Sequence, residues 1–235
     1  MEKEYSPKRS LSWLKMSVML VCLGCLGLAW WQYQRGVEKQ QLLQHSESAV
    51  TVAALHANAA VTELHGKHVN IQGRWLSSQY WLLDNQTLQG QPGYDVIVPM
   101  LLSNNQVVLV VLGFVAANDR TILPELNLFG LPDELAVTLK ARDLKGFTLA
   151  KQPVLDERFP QVIQYLDLSF FQQFIPYPLV SAVAYAQQPP LAFVTPHFQL
   201  SVMTPQKHFA YALQWALLAI AAVVVGGSLM RQLRR

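Results

Sequence analysis

Two stretches of this chain carry no charged side chain, Met16 to Gln34 and Phe209 to Met230, and they lie at opposite ends of it. As helices rising ~1.5 Å per residue, roughly 20 residues cross the hydrocarbon core of a bilayer, so each is long enough to span. The first closes on Trp30-Trp31-Gln32-Tyr33-Gln34-Arg35, and the second opens on Lys207-His208-Phe209-Ala210-Tyr211-Ala212-Leu213-Gln214-Trp215. Two such spans bring both boundaries to one membrane surface, with aromatics, glutamines, an arginine and a histidine gathered beside it.

Charge sets the orientation. Lys3, Lys8, Arg9 and Lys15 precede the first span, and Arg231, Arg234 and Arg235 follow the second, with Glu2 and Glu4 the only acids in either tail. The positive-inside rule places both tails in the cytoplasm. Residues 36 to 207 hold ten Lys/Arg against thirteen Asp/Glu, a net of −3, and belong on the far side. The overall charge of +3 is therefore a topology signal and not a nucleic-acid footprint. The expected order is a cytoplasmic tail (1–15), a transmembrane helix (16–34), an exported domain (35–207), a second transmembrane helix (208–230) and a cytoplasmic tail (231–235). A cleaved leader is the alternative for the first span. Against it stand the long apolar run and Trp30-Trp31 where a small-residue cleavage site would fall.

Both cysteines, Cys22 and Cys25, lie inside the first span, so no disulfide staples the exported part. Their spacing is that of a redox or metal pair, but a thiolate within hydrocarbon is costly. They read as two small apolar residues facing lipid or a partner helix.

Residues 36 to 207 are enough for one domain with its own core. A connector with helical tendency runs to about residue 65. Strand texture follows at Val69–Trp75, Tyr80–Asn85, Tyr94–Met100, Val107–Val115, Leu135–Ala141 and Leu179–Ala186. Val107 to Leu112 is apolar throughout and reads as a strand buried on both faces. Gly90-Gln91-Pro92-Gly93 and Asn104-Asn105 are turn signals, and Leu166–Phe174 reads as a short helix packed on the sheet. The fold class expected is membrane α+β: two terminal transmembrane helices flanking an exported, antiparallel, β-rich, barrel-like domain.

Catalytic patterns are missing from the sequence: there is no nucleophile elbow, phosphate loop or His-x-x-x-His array. Asp156-Glu157 reads as a solvated turn. His65 and His68 have a spacing that could share a metal, or they form a polar strand edge. His45, His56 and His197 default to the surface. His208, Tyr211 and Trp215 share a helical face by the i, i+3, i+7 rule. An imidazole there suits a haem iron, or the three residues form an interfacial aromatic belt. Arg35 suits a carboxylate, or it snorkels.

Taken in order, these elements resemble the surfeit-one family of cytochrome c oxidase assembly factors over nearly the whole length. The family's Trp-Gln-x-x-Arg-x-x-x-Lys is matched by Trp31, Gln32, Arg35 and Lys39. Its Gly-x-aromatic strand is similar to Gly73-Arg74-Trp75, and its Gly-Tyr-x-Val-x-x-Pro to Gly93, Tyr94, Val96 and Pro99. Its His-x-x-Tyr-Ala-x-x-Trp resembles His208, Tyr211, Ala212 and Trp215. The chain departs from the pattern in two places. Val111-Leu112-Gly113-Phe114 stands where the family has Asn-Arg-Gly-Trp, and Lys207 stands where Asn precedes the histidine.

The resemblance implies a non-enzymatic protein of a bacterial inner membrane that binds haem a and assists its insertion into oxidase subunit I. Haem a synthase and the lipid bilayer are further partners, and nucleic acid is not. His208 is then the axial ligand to iron, with Tyr211 and Trp215 packing the ring and Arg35 near the propionates. Two other functions stay open: a scaffold for an oxidase subunit that never holds haem, and a membrane-tethered exported enzyme.

Overall fold

The computed structural model describes residues 7–46, 55–117, 122–145, 158–200 and 203–233. The chain divides into two compact units, one of Met1–Leu42 with Ser201–Arg235, the other of Leu43–Leu200.

The first unit is a pair of long helices, α1 (Pro7–Ser46) and α4 (Pro205–Gln232). α1 continues well past Arg35. The charged and glutamine-rich sequence after it still has good helix propensity, with no proline or glycine after Gly36 to stop it. α4 begins three residues before His208, with Thr204 at its cap and Pro205 in the first turn, where a missing N–H costs nothing. Contacts joining Val18 to Gly226, Cys22 to Ala219 and Gln32 to His208 show the helices to be antiparallel. Both are long and apolar enough to cross a membrane.

The second unit is a mixed sheet of seven strands: β1 (His68–Trp75), β2 (Trp81–Leu88), β3 (Gln91–Leu102), β4 (Val107–Ala116), β5 (Glu134–Lys140), β6 (Gln161–Ile163) and β7 (Leu179–Ala186). Their order is β1-β5-β7-β4-β3-β2-β6, and β1 also pairs with β3, which closes five strands into a barrel and leaves β2 and β6 as a flap. β1 closes it by dividing its partners: His68–Gln72 lie on β5, and Gly73–Trp75 on β3. Gly73 sits at that corner, where a Cβ would strike the Leu101 carbonyl.

The expected antiparallel sheet needs correction, because β4–β7 and β2–β6 run parallel. Long connections let β7 enter beside β4 in the same direction, and local alternation carries no information about direction across such a gap. The Leu166–Phe174 helix shrinks to one turn, α3 (Leu168–Phe171), capped by Asp167. α2 (Val61–Leu64) falls within the connector read as helical in tendency, and the short β6 had no sequence signal. Asp156 and Glu157 fall outside the described residues.

β4 is buried on both faces, as its uniform apolar run predicts. Val108, Val110 and Leu112 point into the barrel with Ile71, Val98 and Ala184. Val107, Leu109 and Val111 face a second cluster under α3, where Trp81 packs edge-on against Phe171 at 4.9 Å and Phe159 at 5.2 Å. Small residues on β7 (Ala182, Ala184, Ala186) suit a barrel of only five strands.

A strap after β7 is pinned across the barrel wall. Phe114 and Thr195 exchange backbone hydrogen bonds of 2.8 and 2.9 Å. Phe198 stacks on Tyr185 at 3.9 Å. Gly113 makes this approach feasible: its φ is +142°, and a Cβ would lie 2.6 Å from the Thr195 carbonyl carbon. Gly113→Ala is expected to destabilise the domain by about 1–3 kcal/mol, since it adds both a left-handed backbone penalty and a clash with fixed backbone. Chemical unfolding followed by tryptophan fluorescence measures this; an unchanged midpoint would contradict the pinned strap.

Candidate functional site in the paired helices

The facing surfaces of α1 and α4 repeat at three- and four-residue steps. On α1 the least exposed positions are Val18, Cys22, Cys25, Ala29, Gln32 and Gly36; on α4 they include Pro205, His208, Ala212, Ala219 and Gly226. Such spacing is the seam of a left-handed helix pair. Small residues let the backbones approach, as in helix pairs within membranes. A Cβ on Gly36 would lie 2.5 Å from the Phe209 ring, and one on Gly226 2.5 Å from Val18. The cysteines belong to this seam: the Cys22 thiol donates to the Ala219 carbonyl at 3.6 Å, and Cys25 is buried.

His208 sits in the same seam, 8 % exposed. Its Nδ1 lies 2.8 Å from Gln32 Oε1. An amide oxygen cannot donate, so Nδ1–H is the donor, and in the neutral tautomer that this selects the lone pair lies on Nε2. A partner on the far nitrogen is how proteins orient a metal-binding imidazole and raise its basicity.

The other sequence candidates occupy different surroundings. Trp215 is half-buried one heptad below His208, while Tyr211 stands 44 % exposed on the flank of α4. Tyr33 packs on Phe209 at 5.8 Å and on Trp30 at 6.0 Å. Arg35 pairs with Glu38 at 2.8 Å and lies over Trp31 at 6.0 Å, on the exposed side of α1. Lys39 is half-buried one heptad beyond Gln32. Gly93, Tyr94 and Pro99 lie in β3 of the barrel, where Tyr94 is a core residue and Gly93 admits the Phe114 ring.

His65 and His68 have structural partners in the barrel unit. His68 Nδ1 lies 2.6 Å from Gln187 Nε2 and 2.9 Å from Thr138 Oγ1, and His65 Nδ1 accepts from the Ala141 N–H at 3.3 Å. Each Nδ1 lone pair is thus spent on the barrel's own hydrogen bonds. Among the described residues no group of three or more His, Cys, Asp or Glu is placed to hold a metal. His56 is exposed, as expected.

His197 is not the surface residue that the sequence suggests. Its Nε2 lies 2.7 Å from Oδ1 of Asp95, a carboxylate only 3 % exposed on β3. The hydrogen bond to Asp95 raises the His197 pKa above 6.5, with burial opposing. No periodic signal links residues about 100 positions apart, so only the folded strap reveals the pair.

A chain with a closed five-stranded barrel and two paired apolar helices, one bearing a seam histidine oriented by a glutamine, is a β-barrel protein with a terminal helix pair and a candidate ligand site. The SURF1 family model matches residues 19–220, and the chain belongs to that family. A search of curated proteins finds no match. The SURF1 family is known for cytochrome oxidase assembly factors rather than enzymes, and it is associated with haem a handling in that assembly.

Two outcomes follow. Gly226→Leu should separate the helices, exposing the Cys22 and Cys25 thiols to a membrane-permeant maleimide several-fold faster than in the unaltered protein; Gly227→Leu, at a position with open space around it, should leave labelling unchanged. The Asp95–His197 pair should stabilise the barrel fully below about pH 6.5 and lose that contribution as pH rises through the raised folded-state pKa of His197. The difference in unfolding free energy between the unaltered protein and His197→Gln, measured from pH 6 to pH 9, should therefore shrink with rising pH.

Proposed function

We propose that this protein binds haem a through His208 during assembly of cytochrome c oxidase and assists its insertion into subunit I. The observation that carries this reading is the His208–Gln32 pair. It leaves Nε2 as the lone-pair nitrogen of a buried, oriented imidazole at the start of an apolar helix. Iron ligated there would have an apolar helix pair beside it for a hydrophobic ring and tail. Trp215 packs beside the ring from the same seam, and Tyr211 flanks it.

Arg35 would meet the propionates by exchanging its present partner. Its ion pair with Glu38 is half exposed, and such pairs contribute ~0–1 kcal/mol, so a carboxylate from the ligand displaces it at little cost. Loose holding suits a carrier, because a ligand bound equally well before and after docking is not transferred. The helices then lie in the inner membrane of a bacterium with both tails cytoplasmic and the barrel exported. Subunit I and haem a synthase are the partners, and the exposed apolar faces of α1 and α4 meet lipid or their helices.

The test is the optical spectrum and extracted haem of the detergent-purified chain, made in cells that synthesise haem a. Haem a is expected in the unaltered protein, lost in His208→Ala and shifted in its Soret band in Gln32→Leu, which removes the Nδ1 partner. Haem absent from all three, with subunit I co-purifying, would make the protein a scaffold and His208 a packing residue.

A further inference from the structure

The barrel unit carries a cleft that the haem reading does not use. It lies where β2, β3, β5 and β7 end beneath the strap, and its cavity is about 670 Å³. Clefts of ~300–1,000 Å³ are the size that small ligands and anchoring side chains fill. The walls alternate charged and apolar groups, and the charged ones differ in how they are occupied. Asp95 is held by His197 at 2.7 Å. Asp84 accepts from the Asn85 N–H at 2.7 Å and from the Gln164 amide at 3.2 Å. Lys145 pairs with Asp167 at 2.7 Å.

Lys140 has no such partner. It lines the cleft from the end of β5, is half-buried, and its side chain makes no hydrogen bond or ion pair among the described residues. Burial pulls its pKa below 10.5, and the charge of Asp143 opposes this in part. An ammonium taken partly out of water without a carboxylate is unfavourable, and it is favourable again once an anion enters. The surfaces beside it are apolar or aromatic: Leu144, Leu166, Tyr165 and the stacked Tyr185–Phe198 pair.

We propose that this cleft binds a carboxylate borne on an apolar or aromatic body, with Lys140 as its counter-ion. A small organic acid and an acidic side chain of a partner polypeptide offer the same chemistry. Lys140 supplies the charge, the Tyr185–Phe198 stack and Leu166 supply contact area, and the strap forms one wall.

The experiment uses the full chain in detergent with its lysines ¹³C-dimethylated, a change that keeps their charge, and the Lys140 resonance identified by its loss in Lys140→Gln. Phenylacetate and the peptide acetyl-Phe-Asp-Phe-amide are titrated separately, with phenylacetamide as the neutral control. The expected result is a saturable shift of the Lys140 signal by at least one carboxylate and none by phenylacetamide. Affinity, measured by calorimetry on unmethylated protein, should fall tenfold or more in Lys140→Gln and recover in Lys140→Arg. Tighter binding of phenylacetate identifies a small acid as the source; tighter binding of the peptide identifies a polypeptide. Equal affinity in Lys140→Gln, or no saturable shift with either carboxylate, overturns the proposal. Melting temperatures of the variants guard against misfolding.

Discussion

Backbone N–H and C=O groups must be satisfied wherever water is excluded, and most of this architecture answers that constraint. At the two ends of the chain the answer is the helix, which pairs every interior group within one segment. Between them it is the closed barrel. β1 turns from β5 to β3 and removes both free edges from five strands, leaving β2 and β6 as a flap covered by α3. Glycine appears where closure demands close backbone approach, at Gly73 on the barrel corner and Gly113 beneath the strap.

The helix seam applies the same economy to side chains. Small residues at Cys22, Cys25, Gly36, Ala212, Ala219 and Gly226 draw the helices together, and Gln32–His208 is a polar pair within that mainly apolar interface. A buried imidazole without a partner would be costly, and Gln32 removes that cost while selecting the tautomer. The same contact that stabilises the seam also orients the ring and its Nε2. A change at Gln32 is therefore read in the electronic environment of the histidine as well as in packing.

In the barrel, polar groups are treated differently. Asp95 is buried and answered by His197 from a distant part of the chain, while Lys140 is half-buried and unanswered. The first fastens the strap, and the second leaves a charge facing a cleft. Neither residue stands out in the sequence, because a lone acid, histidine or lysine in a strand or loop carries no periodicity of its own.

Much of the fold was legible in the linear pattern, for local reasons. Uninterrupted apolar stretches specify the two helices, two-residue alternation locates β1 and β5, and the turn signal at Gly90-Gln91-Pro92-Gly93 locates β3. The uniform run Val107–Leu112 identifies the strand buried on both faces, and Asn104-Asn105 the hairpin turn joining β3 to β4. The family resemblance rests on motifs that the structure divides between the helix pair, β1 and β3. What the tertiary structure alone decided is everything that depends on residues far apart in the chain. It set the parallel entry of β7, the partnering of Gln32 with His208, the engagement of His65 and His68 by the barrel, and the strap that joins His197 to Asp95. Local sequence determines which face of an element is apolar. Which distant element meets that face, and in which direction, is determined by packing and hydrogen-bond satisfaction across the whole molecule.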